Sequence, residues 1–147
     1  MFQKVSYESL NSRQRENFNF QKVSALLADY GFVTMRLSDD WNGADFIASN
    51  IDGTFLRVQL KSRWGIYRKY EGKDLWIAFP SDGVWYLVKH DEMVETTKAL
   101  TKATDSESWL KPNGSYTNTS IPSRLREALA AYQLGAAESL PVEAEND

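Results

Sequence analysis

Three polar residues fall where two neighbouring strands can share them: Asp45 in the string NGADFIA, and Gln59 and Lys61 in RVQLKSR. Side chains alternate along a strand, so Arg57, Gln59 and Lys61 take one face while Leu56, Val58 and Leu60 take the other. A turn at Asn50 to Gly53 folds the second run back beside the first, which makes Asp45 a cross-strand neighbour of the Gln-x-Lys pair. Carboxylate and amide oxygens are hard ligands. Mg²⁺ is held by one or two carboxylates, with water and substrate phosphate completing its shell. A lysine beside such an ion can orient or deprotonate an attacking water. These are the parts of metal-assisted phosphodiester hydrolysis. Glu16, on a helix above the strands, is placed to join the cluster.

These residues need a helix and a sheet to position them. Asn11 or Ser12 caps a helix running to about Asp29, with Gly31 as its stop. Its apolar stripe carries Phe20, Val23, Leu27 and Tyr30, and Glu16 lies in the middle of that stripe, one turn before Phe20. Short strand-like runs follow at Phe32 to Leu37, Ala44 to Ala48 and Phe55 to Lys61, then a basic loop over 62–73. Leu75 to Phe79 and Val84 to Val88 pair as a hairpin. Asp91 to Leu100 has weak helical character, residues 101–120 read as a long loop, and Ser120 to Tyr132 reads as a final helix with Pro122 in its first turn. The expected architecture is α/β (α+β): an N-terminal helix on a mixed sheet of about five strands, followed by C-terminal helices. Residues 1–134 form one domain, and 135–147 are expected to be a disordered acidic tail.

Composition narrows the chemistry. The 147 residues contain no cysteine and one histidine, which excludes disulfides, thiolate zinc sites, iron–sulfur clusters, cysteine nucleophiles and multi-His metal centres. Aromatics at 13% mark a packed chain. There is no apolar run of membrane-spanning length and no signal-like N-terminal core, so no membrane partner and a cytoplasmic location are expected. The net charge of −3 hides an uneven distribution. Residues 57–73 carry six Lys or Arg against Glu71 alone, while the last ten residues carry four acids and no base.

In the basic segment, Arg57, Arg63, Arg68 and Lys69 surround Trp64 and Tyr67, a mixture suited to phosphates and stacked bases. The bland alternative packs the aromatics on the sheet and leaves the charges in water. Trp109, Tyr116, Arg124 and Arg126 suit nucleic-acid contact, packing or a dimer element equally. Asp39 and Asp40 read as a solvated turn, and His90 as a surface residue.

The Asp45, Gln59 and Lys61 strings resemble the PD-(D/E)xK, or restriction-endonuclease-like, nuclease superfamily over about residues 12–90. They are most similar to the branch of intron-encoded homing endonucleases and small bacterial proteins in which glutamine replaces the acid of the E-x-K pair. The hairpin ending VWYLVKHDEM resembles the corresponding region of that branch. The resemblance implies a nuclease-like domain and an endonuclease that hydrolyses phosphodiester bonds in DNA and leaves a 5′-phosphate. It implies Mg²⁺, with Mn²⁺ as a substitute, on Asp45, Glu16 and Gln59. Lys61 and Gln59 are the implied catalytic pair, in a homodimer or higher homo-oligomer. Three departures are visible. Gly43-Ala44 stand where many members have proline, Gln59 is a neutral ligand, and the usual helix glutamate falls near Phe20, about 6 Å along the axis from Glu16. Glu16 therefore reaches the site through a slid helix or a water, or else only ends the apolar stripe. A non-catalytic DNA- or protein-binding module on the same fold is the alternative.

Overall fold

Asn11 starts the first helix with a reciprocal cap. Its side chain accepts from the Gln14 N–H at 2.9 Å, and the Gln14 side chain accepts from the Asn11 N–H at 2.9 Å. This helix, α1 (Ser12–Ala28), opens a computed structural model that describes residues 1–135. It ends before Gly31, whose φ of +86° lies in the left-handed region that glycine tolerates. Its buried residues Asn19, Val23 and Leu27 recur every four positions and so face one way.

That face lies on a six-stranded sheet ordered β1 (Phe32–Trp41), β2 (Ala44–Asn50), β3 (Phe55–Leu60), β5 (Trp76–Ser81), β6 (Val84–Lys89) and β8 (Gln133–Leu134). Every pairing is antiparallel except β3 with β5, which is parallel. Val23 and Leu27 pack with Phe46, Ala48, Leu56 and Val58 in one core. A larger core covers Ile77, Phe79, Tyr86 and Val88 with β4 (Trp64–Tyr67), α2 (His90–Leu100), α3 (Glu107–Leu110) and α4 (Arg126–Leu129). β4 pairs with β7 (Ser115–Asn118) in a separate two-stranded ribbon. The helix on a mixed sheet matches the expected class, with six strands in the sheet instead of about five.

The segment expected as a basic loop over 62–73 is corrected. It contains β4, all four residues of which are buried, and a 3-10 turn over Arg68–Tyr70. A strand buried on both sides shows no polar–apolar alternation, which hid it in the sequence. The expected loop over 101–120 likewise contains α3 and β7. The single helix expected over 120–132 is instead a 3-10 turn, the four-residue α4 and a second 3-10 turn. Of the expected tail, Gly135 donates its N–H to the Tyr30 hydroxyl at 2.9 Å, and the rest lies outside the described residues. Among the described residues no helix is long and apolar enough to cross a membrane.

Candidate active site

The Asn42-Gly43 turn, with both residues at positive φ, closes the β1–β2 hairpin and delivers Asp45 near the start of β2. The β2–β3 ladder ends at the Phe46–Val58 pair. One step further on, Asp45 and Gln59 occupy facing positions. There the Asp45 carboxylate accepts the Leu60 N–H at 2.8 Å, standing in for a ladder carbonyl. Burial pushes the Asp45 carboxyl above its usual range. The Leu60 hydrogen bond and the Lys61 charge oppose that shift, and Glu16 and Asp40 add to it.

Gln59 is buried at 8% exposure. Its Nε2 lies 3.5 Å from the Leu60 carbonyl, while its Oε1 is buried without a hydrogen-bond partner among the described residues. An orphaned amide oxygen costs free energy unless something accepts its lone pairs. Lys61 leaves β3 with its N–H donated to the Ala78 carbonyl at 2.9 Å. Its Nζ lies 4.5 Å from the centre of the Tyr67 ring and 5.4 Å from that of Tyr70. Burial pushes the Lys61 amine down, Lys69 pushes it further, and Asp45 resists. The two ionisable groups expected to work together thus act on one another, each holding its charge against burial.

Glu16 is exposed and paired with Arg36 at 3.3 Å. It nonetheless lines a cavity of about 160 Å³ with Asp45, Leu60, Asp39 and Asp40. A neighbouring cavity of about 400 Å³ holds Glu16, Asn19, Leu60 and Lys61. Phe20 takes the helix position above Phe46, with ring centres 5.1 Å apart. Asp40 is not an isolated turn residue. It lies on β1 one residue before the Trp41–Ala44 pair, and its Oδ1 accepts the Gly43 N–H at 2.6 Å. The two-residue Asn-Gly turn was the sequence signal that sets Asp40 across from Asp45.

Among the described residues no three His, Cys, Asp or Glu side chains gather to hold a metal ion. The donor set is instead mixed. The Asp45 carboxylate and the unpartnered Gln59 oxygen suit a hard divalent cation, with fewer charges than an all-carboxylate site.

The expected nucleic-acid residues divide sharply. Arg63 and Lys69 are exposed on either side of β4, and Lys69 shares a cavity with Lys61, Tyr67 and Ser115. Arg57 is committed to Asp74 at 3.3 Å and to the Trp41 ring at 5.5 Å. Arg68 donates to the Trp109 and Leu110 carbonyls at 3.4 and 3.1 Å, tying the 3-10 turn to α3. Trp64 is corrected: it is fully buried, edge-on to Tyr116, and offers no face to a base. Tyr67 is also corrected, since its ring is buried and turned towards Lys61. Trp109 belongs to the core as well.

His90 is corrected too. It is fully buried, its Nε2 accepts the Tyr67 N–H at 3.0 Å, and its Nδ1 lies 3.2 Å from Asp91. Burial pushes its pKa down, so the neutral ring is the form that can accept from Tyr67.

No known protein-family model matches the chain, and no curated protein matches it significantly. Among solved structures it is similar to a bacterial homing endonuclease, I-Ssp6803I, with a TM-score of 0.50 and 14% identity, over 84% of this chain and 86% of that one. At that identity the likeness establishes a common fold.

Proposed function

We propose that the protein is a divalent-metal-dependent endonuclease that hydrolyses phosphodiester bonds in DNA with a Q-x-K variant of the PD-(D/E)xK site. The observation that carries this reading is that Asp45 and Gln59 take facing positions where β2 and β3 part, with Asp45 and Lys61 acting on one another's charge and a buried Gln59 oxygen that has no partner among the described residues. The fold shared with a homing endonuclease supports it.

In this reading Asp45 and Gln59 hold Mg²⁺, or Mn²⁺ in its place, and Glu16 reaches it from α1 once freed from Arg36. When bound, the ion supplies neutralising charge at the scissile phosphate and lowers the pKa of water. Lys61 orients the attacking water. An amine shifted towards neutrality by burial is also better able to take its proton. Asp45 keeps the Lys61 ammonium near the site and fixes the end of β3 through Leu60. Arg63 and Lys69 draw the phosphate backbone across Lys61. One such site cuts one strand, so two copies act together on a duplex, in the cytoplasm.

A non-catalytic DNA- or protein-binding module is the second reading. The Glu16–Arg36 pair and the lack of a three-acid cluster among the described residues favour it. Incubation with plasmid, branched and single-stranded DNA, with Mg²⁺ or Mn²⁺ and then with EDTA, separates the two. Metal-dependent cleavage stopped by EDTA supports the nuclease, and binding without cleavage under every condition supports the module.

A further inference from the structure

Lys61 carries its charge on a four-carbon stem that would ordinarily sample many rotamers. Here its Nζ lies over two aromatic faces, Tyr67 at 4.5 Å and Tyr70 at 5.4 Å from the ring centres. Both fall within the range at which a ring quadrupole attracts an ammonium. The rings are 5.3 Å apart and tilted by 57°, so they form two walls of one corner.

The corner is built from behind. Tyr67 stacks on His90 at 6.3 Å, and Tyr70 meets the same imidazole edge-on at 5.8 Å. His90 also accepts the Tyr67 backbone N–H, and Asp91, which accepts from Gly72 at 3.0 Å, lies against its other nitrogen. Two glycines leave the space the rings need. A Cβ at Gly65 would overlap the Tyr67 hydroxyl, and one at Gly43 would meet Leu75 at 2.6 Å and the Tyr70 ring at 3.3 Å. Gly43 lies two residues before Asp45, so the same turn that delivers the aspartate also seats the Tyr70 wall.

The geometry points to Tyr67 and Tyr70 as positioning residues: a two-walled aromatic corner, backed by His90, that holds the Lys61 ammonium beside Asp45 for the reaction. This rests on the nuclease reading for its purpose, though not for its geometry. The aromatic faces supply attraction without a counter-charge. A carboxylate in their place would pair with the Lys61 charge and compete with Asp45 and Gln59 for the metal. A hydroxyl is not required at either position, only a ring.

The test pairs a signal from the metal-free full-length protein with kinetics. A CH₂ held over ring faces is shielded, so the Lys61 ε-methylene protons, assigned by their loss in Lys61→Met, should resonate upfield of the other lysines. The shift should persist in Tyr67→Phe and Tyr70→Phe and collapse in Tyr67→Leu and Tyr70→Leu. On plasmid with Mg²⁺, the Phe variants should retain cleavage, and the Leu variants should lose about 10- to 100-fold in kcat with KM little changed, as expected of a misplaced group. Thermal melts identify folded variants, and if Tyr67→Leu is unfolded, Tyr70→Leu decides by the same criteria. No upfield shift in wild type, or a shift that survives in the Leu variants, overturns the corner. A collapsed shift with unchanged kcat overturns the positioning role. An upfield shift in a wild type that cleaves nothing overturns that role together with the nuclease reading, and the spectrum separates this failure from failure of the corner.

Discussion

Asp45 and Lys61 are both ionised at a cost. Burial raises the Asp45 carboxyl, so the folded protein binds that proton more tightly than the unfolded chain does, and stability falls as pH rises past 3.8 through the folded value. Asp45→Asn removes the charge and keeps an oxygen for the Leu60 N–H. It should melt at or above the wild-type temperature at pH 7 while losing cleavage; a clear fall in melting temperature would mean that the carboxylate stabilises the fold. Gln59→Glu tests the other donor. A second buried carboxylate facing Asp45 should lower the melting temperature of the metal-free protein through like-charge repulsion. It should also tighten Mg²⁺ or Mn²⁺ binding in calorimetry, and the metal should restore the lost stability. Unchanged metal affinity would show that Gln59 does not face the ion.

At the scale of elements, β4 decides which aromatic and basic residues meet solvent. Trp64→Ala empties a fully buried site and should cost about 3–5 kcal/mol of stability without a specific loss of DNA contact. Arg63→Ala with Lys69→Ala should leave the melt nearly unchanged and flatten the salt dependence of duplex binding by about 0.9 log units per lost contact. A binding series across salt without metal measures this, and a wild-type slope would remove β4's flanks from the nucleic-acid surface. Arg68 does not belong in that pair, because its guanidinium holds α3. The difference between these groups was invisible in sequence. Bases at 63, 68 and 69 looked interleaved with aromatics, whereas they bracket a strand that is buried throughout. The hairpin carrying Asp45 and the alternation of Gln59 and Lys61 were readable because turn chemistry and strand period are local. His90 was not, because its burial depends on Tyr67 and Tyr70, some twenty residues upstream.

Over the whole molecule, one helix and two parting strands frame the proposed site, and the second core serves to hold Tyr67, Tyr70 and His90 behind it. The net charge of −3 does not describe the surroundings of Lys61, which shares a cavity with Lys69. Lys61 belongs both to the proposed chemistry and to the aromatic corner. The decisive measurement is the rate of supercoiled-plasmid nicking in Mg²⁺ by wild type and by folded Lys61→Ala, side by side, with EDTA added at the end. Wild type should nick the plasmid until EDTA stops it, and Lys61→Ala should show no cleavage above background. Nicking by Lys61→Ala at the wild-type rate, or nicking that continues in EDTA, would contradict the assignment of this site.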